Sequence, residues 1–149
     1  NPDPAMIPVA DASAEVEVLA AGRGRRIAGI DDNYNIDNLP DALAGLPSVV
    51  IPRGDLNWMA PGFKFQISAP AEVYLAVHDR GGYKPPADWK QTDLKLTWMK
   101  NQTDTVYVKS CKAGVVAVPG HDGRSGPYYG LPHMAFVKGT GVVIAPVTK

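Results

Sequence analysis

Apolar and polar residues alternate along this chain with a period of two, in segment after segment. Residues 14–20 (AEVEVLA) place Val16 and Val18 on one face and Glu15 and Glu17 on the other. Residues 63–68 (FKFQIS) alternate without a fault. Residues 93–98 (DLKLTW) align Leu94, Leu96 and Trp98, and residues 104–110 (DTVYVKS) align Val106 and Val108. This is the repeat of a half-buried β-strand, whose successive side chains point to opposite faces. Residues 72–77 (EVYLAV) and 114–118 (GVVAV) are more continuously apolar and read as central strands covered on both faces. Residues 26–30, 48–52, 134–137 and 141–144 complete a set of roughly nine to eleven short strands.

Turn signals separate these runs at Gly22-Arg23-Gly24, Pro61-Gly62, Gly81-Gly82, Asn101-Gln102, Pro119-Gly120 and Lys138-Gly139. Strands of this number and spacing predict an all-β chain, an antiparallel two-sheet β-sandwich or jelly roll. Two longer connections remain, residues 31–46 and 81–91. Within the first, residues 39–45 (LPDALAG) have the Pro start and Gly stop of a single helical turn. Residues 1–8, rich in Pro, read as a linker remnant, which leaves 9–149 as one β-sandwich module. A chain opening on Asn1-Pro2 rather than Met reads as a mature or excised fragment.

Composition reinforces the strand reading, because 15 glycines and 14 prolines leave no room for helices of ordinary length. Lys and Arg number 15 against 15 Asp and Glu, a net charge of zero without a basic cluster. Nucleic acid is therefore not an expected partner. No apolar run approaches the ~18 residues of a spanning helix, so no membrane insertion is expected. The single Cys111 excludes an internal disulfide framework and a cysteine-rich zinc site.

Nucleophile elbow, Walker loop, HExxH and CxxC are all missing. Gly22-Arg23-Gly24 has no helix after it and is a hairpin turn rather than a phosphate cradle. Asp31, Asp32, Asp37 and Asp41 fall in one loop, where Asp and Asn are ordinary turn formers. A glycosidase pair needs two carboxyls on separate rigid walls, which this cluster does not offer. With Asn33, Asn35 and Asn38 the cluster makes Asp31, Asp32 and Asp37 weak candidates for a structural calcium, though the spacing is not that of an EF-hand. No other cofactor is expected. His78, His121 and His133 match no local metal motif.

Trp98 reads as core, but Trp58, Tyr83 and Trp89 sit in or beside loops near Arg53, His78, Asp79 and Arg80. Aromatic faces beside charged groups suit a pyranose, with its apolar C–H side and its hydroxyls. The plainer reading is that Trp89, after Pro85-Pro86, closes its loop on the sandwich, and that Asp79 and Arg80 hold theirs.

Val73-Tyr74-Leu75-Ala76-Val77-His78-Asp79-Arg80 and Pro85-Pro86-Ala87-Asp88-Trp89 carry a resemblance to a known group of modules. So do Thr105-Val106-Tyr107-Val108-Lys109, Ala113-Gly114-Val115-Val116-Ala117-Val118-Pro119-Gly120, and, upstream, residues 32–40 (DNYNIDNLP) followed by Leu43-Ala44-Gly45. The chain, over residues 26–137, resembles the β-sandwich accessory, carbohydrate-binding-like modules of secreted bacterial glycoside hydrolases and polysaccharide lyases. The shared motifs are structural ones. The resemblance implies a non-catalytic role, either binding glycan or packing beside a catalytic domain.

Residues 119–129 (PGHDGRSGPYY) depart from that pattern as an expanded turn, the kind of place where a scaffold acquires a site. The expected ligand-binding residues are therefore Trp58, Arg80, Trp89, His121, Arg124 and Tyr128, with no catalytic residue. The expected partners are a polysaccharide or oligosaccharide, anionic if the arginines are used, and the catalytic domain of a parent chain. Two alternatives stand beside this one. The first is a ligand-free structural domain packed on its enzyme. The second is a small lyase or hydrolase using His121 or His78 with Tyr129.

Overall fold

The structure, a computed structural model, describes residues 9–10, 15–20, 36–50, 63–98, 102–119, 121, 123–126, 128–129 and 134–145. These residues form β1 (Val9–Ala10), β2 (Glu15–Ala20), β3 (Ile36–Asn38), β4 (Pro47–Val50), β5 (Phe63–Ile67) and β6 (Ala71–His78). After a 3-10 turn at Arg80–Gly82 come β7 (Lys90–Trp98), β8 (Gln102–Cys111), β9 (Gly114–Val118), β10 (Arg124–Ser125), β11 (Tyr128–Tyr129), β12 (Met134–Lys138) and β13 (Ile144–Ala145). Eight strands join in the order β1-β2-β4-β12-β6-β8-β7-β3, three in the order β13-β5-β9, and β10 pairs with β11. All of these pairings are antiparallel.

The alternation seen in the sequence decides how the two larger sheets meet. Val73, Leu75 and Val77 of β6, Tyr107 of β8 and Ala135 and Val137 of β12 line one face of the large sheet. They share a buried core with Phe65 and Ile67 of β5, Val116 and Val118 of β9, and Ile144. Each such aliphatic or aromatic side chain contributes about 1.5–3 kcal/mol when fully buried. The opposite face of the large sheet is buried as well, at Ala76, Leu96, Val106 and Phe136. The fold is thus an all-β sandwich.

Most expected strands are present, with β6 two residues and β7 and β8 three residues longer than their pattern suggested and β9 matching residues 114–118. The unexpected strands among the described residues are pieces of two or three residues, β1, β3, β10 and β11, too short to leave a periodic trace, and the expected strand at 141–144 is reduced to Ile144–Ala145. Residues 26–30 lie outside the described residues. Two expectations are corrected. β6 is central, but among the described residues β9 is the edge of the small sheet and its Val115 is 56% exposed. A continuous apolar run therefore does not by itself prove cover on both faces. The supposed loop of residues 31–46 is interrupted by β3, so Asp37 sits in a strand paired with β7. Residues 40–46 turn through i→i−3 bonds, Leu43 N–H to Pro40 O at 2.9 Å and Leu46 N–H to Leu43 O at 3.2 Å, the tight form of the expected helical turn. Among the described residues no helix is long and apolar enough to cross a membrane.

Candidate functional site

β6 and β8 run antiparallel, and where β6 ends, at His78, the chain turns sharply. Asp79 opens that turn: its N–H donates to Thr103 O at 3.2 Å, and its carbonyl accepts from Gly82 N–H at 3.1 Å. Arg80 N–H donates to His78 Nδ1 at 2.9 Å. The Thr105 hydroxyl donates to Asp79 Oδ1 at 2.6 Å and accepts from Lys95 Nζ at 2.8 Å. A cation on β7, a hydroxyl on β8 and a carboxylate on the turn thus form one relay that fixes the direction of the turn. Behind it lies Tyr107, whose phenol burial pushes up from its ordinary range, with the Asp79 charge adding to the shift.

The expanded turn comes to rest against this one at His121, Gly123 and Arg124. His121 is 0% exposed. Its Nε2 lies 2.8 Å from His78 O, its Nδ1 accepts from Gly123 N–H at 3.1 Å, and its ring stacks on Tyr83 with centroids 4.4 Å apart. Because Nδ1 accepts a backbone N–H, the ring proton is assigned to Nε2, which donates to His78 O. Two glycines let the backbones touch. A Cβ on Gly81, which also holds φ +71°, would lie 2.3 Å from Arg124 N. A Cβ on Gly123 would lie 2.4 Å from Arg80 O. Arg80 and Arg124 are therefore rooted on adjoining backbone at one end of the large sheet.

This brings together two loops that the sequence offered as separate places for a site. Arg80 is half-exposed and Arg124 exposed, and both stand at the joint. His121 and Trp89 do not serve as expected. His121 is wholly enclosed, and Trp89, 4% exposed, belongs to the core, so neither presents a face to a ligand. Trp89 N–H donates to Pro86 O at 3.0 Å, and Lys109 Nζ sits 5.6 Å from its ring centroid, which fits the plainer loop-closing reading. Tyr128 lies in β11 opposite Ser125. Trp58, Asp31 and Asp32 fall outside the described residues. Among the described residues no three His, Cys, Asp or Glu side chains cluster in a way that would hold a metal ion.

Sequence reading missed the roles of Thr105, Lys95 and Gly123. Thr105 and Lys95 looked like ordinary strand positions. The only available hint for the joint was the glycine content of both turns, at Gly81-Gly82 and Gly123. At the far end of β6 and β8 lies a shallow groove of about 320 Å³, lined by Pro70, Ala71, Glu72, Ser110, Cys111 and Lys138.

No family model matches the chain, and no curated protein matches it. Among solved structures it is similar to a beta-glucuronidase from glycoside hydrolase family 2, with a TM-score of 0.64 and 17% identity. The match covers 91% of this chain but only 14% of that one, so the likeness is one of fold, to a small part of a much longer protein.

Proposed function

We propose that this chain is a non-catalytic carbohydrate-binding module of a larger secreted bacterial enzyme that degrades polysaccharide, and that it takes an acidic glycan. The observation that carries the reading is the joint of the two turns, which plants Arg80 and Arg124 side by side. Guanidinium groups rooted on adjoining backbone at a loop joint suit an anionic ligand. A guanidinium also meets a carboxylate or sulfate oxygen pair through two parallel N–H bonds. The fold likeness to part of a glycosidase chain supports the reading, and a glucuronide, the substrate class that enzyme's name implies, carries such a carboxylate. Holding a catalytic domain on its polymer raises the local substrate concentration without any new chemistry. A single site of this kind implies dissociation constants from micromolar to millimolar, about 4–8 kcal/mol.

Affinity electrophoresis and calorimetry over neutral, uronate-bearing and sulfated polysaccharides test this. The expected result is retardation by acidic polymers, weakened at least tenfold in Arg80→Ala and Arg124→Ala, with no reducing ends or unsaturated products released. Silence across the whole panel overturns the targeting role, and product release by the isolated chain overturns the non-catalytic one. A second reading, a structural domain packed on its enzyme, draws on Val115 and Val143, which are 56% and 63% exposed on and beside the small sheet. It predicts no glycan retention at all.

A further inference from the structure

We propose that His121 is a protonation-sensitive latch that holds the two turns together, and so positions Arg80 against Arg124. The consequence for binding rests on the glycan reading above; the latch itself rests on geometry. The imidazole bridges the two arms through both ring nitrogens and a ring face. Nε2–H donates to the carbonyl of His78 on the first arm, Nδ1 accepts from Gly123 on the second, and the ring lies on Tyr83 of the first. A second proton has no place to go. It would set Nδ1–H against the Gly123 N–H, in a ring with no access to water. Gly123 has little freedom to yield, since it is packed against Arg80 O, Tyr83 and the His121 ring itself.

Charged residues stand on the elements packed against the ring. Arg80 and Arg124, on the two arms, are both cations. The Asp79 carboxylate is directed to Thr105 on β8. Asp104, also on β8 and buried, is the cross-strand partner of His78, whose own Nδ1 is occupied by Arg80 N–H. Asp122, the chain neighbour of His121, lies outside the described residues. With both ring nitrogens engaged, the closed joint takes no second proton at His121, whereas an opened joint exposes an imidazole that titrates near pH ~6.5. The open form binds more protons as pH falls, so closure is fully favoured above that range and weakens below it.

The test is NMR on the intact chain. Imidazole nitrogen spectra give the tautomer, and hydrogen exchange, corrected for the intrinsic effect of pH, follows the Gly123 and Arg124 amides from about pH 8 to about pH 5. The expected result is the Nε2–H tautomer at neutral pH, then loss of protection at Gly123 and Arg124 by at least tenfold more than at β6 and β8 amides. His121→Gln, which can hydrogen bond but not titrate there, should hold its protection across the range. Were His121 to become doubly protonated with Gly123 still protected, or were wild type and H121Q to share one profile, the latch would be overturned. The wild-type readouts decide the matter alone if H121Q does not fold. Affinity for a polyuronate should fall at least tenfold between about pH 7.5 and 5. Affinity that stays flat while the joint opens overturns the positioning of the arginines. A joint that opens in a chain binding no glycan at any pH removes the glycan reading and leaves the latch.

Discussion

The same strands, β6 and β8, end in two different ways. At the His78 end a turn, an expanded loop and two strands meet through His121, Tyr83, Thr105 and Lys95, with backbone packed on backbone. At the Ala71 end, Glu72, Ser110, Cys111 and Lys138 border an open groove. Burying polar groups is costly unless each is hydrogen bonded, so the first end tolerates little change and the second tolerates a good deal. Rigid placement of charge belongs to the first end. That difference is why the arginines there, and not the thiol of the groove, carry the functional reading.

Glycine substitutions probe this contrast most forcefully. Gly81→Ala combines a left-handed backbone with a Cβ driven into Arg124 N, and should cost about 3 kcal/mol or more in urea unfolding. Gly82→Ala shares the positive φ, +68°, but meets nothing within 4 Å, so it should cost only about 1 kcal/mol. At the groove end, Gly139→Ala sets a Cβ 2.5 Å from a Val142 methyl and 3.2 Å from both Ala71 Cβ and Pro70 O, without a left-handed backbone, and should fall between the two at about 2 kcal/mol. Equal losses at Gly81 and Gly82 would mean that the two turns are not packed as described.

Thr105→Val keeps the shape of the side chain and removes both hydrogen bonds of the relay. The expected loss is about 1 kcal/mol, because Asp79 and Lys95 are exposed enough to find water instead. A loss well above that would show the relay to be shielded from solvent.

These residues also mark what the sequence could and could not tell. The sandwich was legible because burial of alternate positions leaves a period-two record in strands such as Phe63–Ile67. β3 and β10 were not, since two or three residues hold no period. Arg80 and Arg124 were legible as chemistry but not as neighbours. Their meeting depends on backbone contact across 44 positions of sequence, made possible by glycines that look like any turn glycine. Trp89 and His121 misled for a related reason. A loop position suggests exposure, yet long loops on a small sandwich fold back and bury their largest side chains.

Cys111 tests the groove end by reactivity. Desolvation pushes its thiol up from the ordinary value; Lys109 partly opposes the shift and Asp88 adds to it. At a given pH near 8 less thiolate is present, so alkylation by iodoacetamide should be severalfold slower than for a free cysteine, the rate still climbing where the free thiol has levelled off. A rate equal to the free thiol would place Cys111 in open water and make the groove still looser than described.

The smallest effect is expected at Asp88, whose pairing with Lys109 at 2.7 Å resembles the relay at Asp79 in its short contact but has no buried hydroxyl like that of Thr105 between the charges. The hydrogen bond from Lys109 is the largest cause holding the Asp88 carboxyl below its usual value. The stabilisation is therefore present above the ordinary carboxylate range and lost as pH falls through it. With the side chains 34% and 56% exposed, water and salt screen most of it, so Asp88→Asn should cost under about 0.5 kcal/mol at neutral pH and less in high salt. A larger loss that persisted in salt would point to the other contact of Lys109, over the Trp89 ring, being set by Asp88. The loop would then owe its closure to charge as well as to the buried indole.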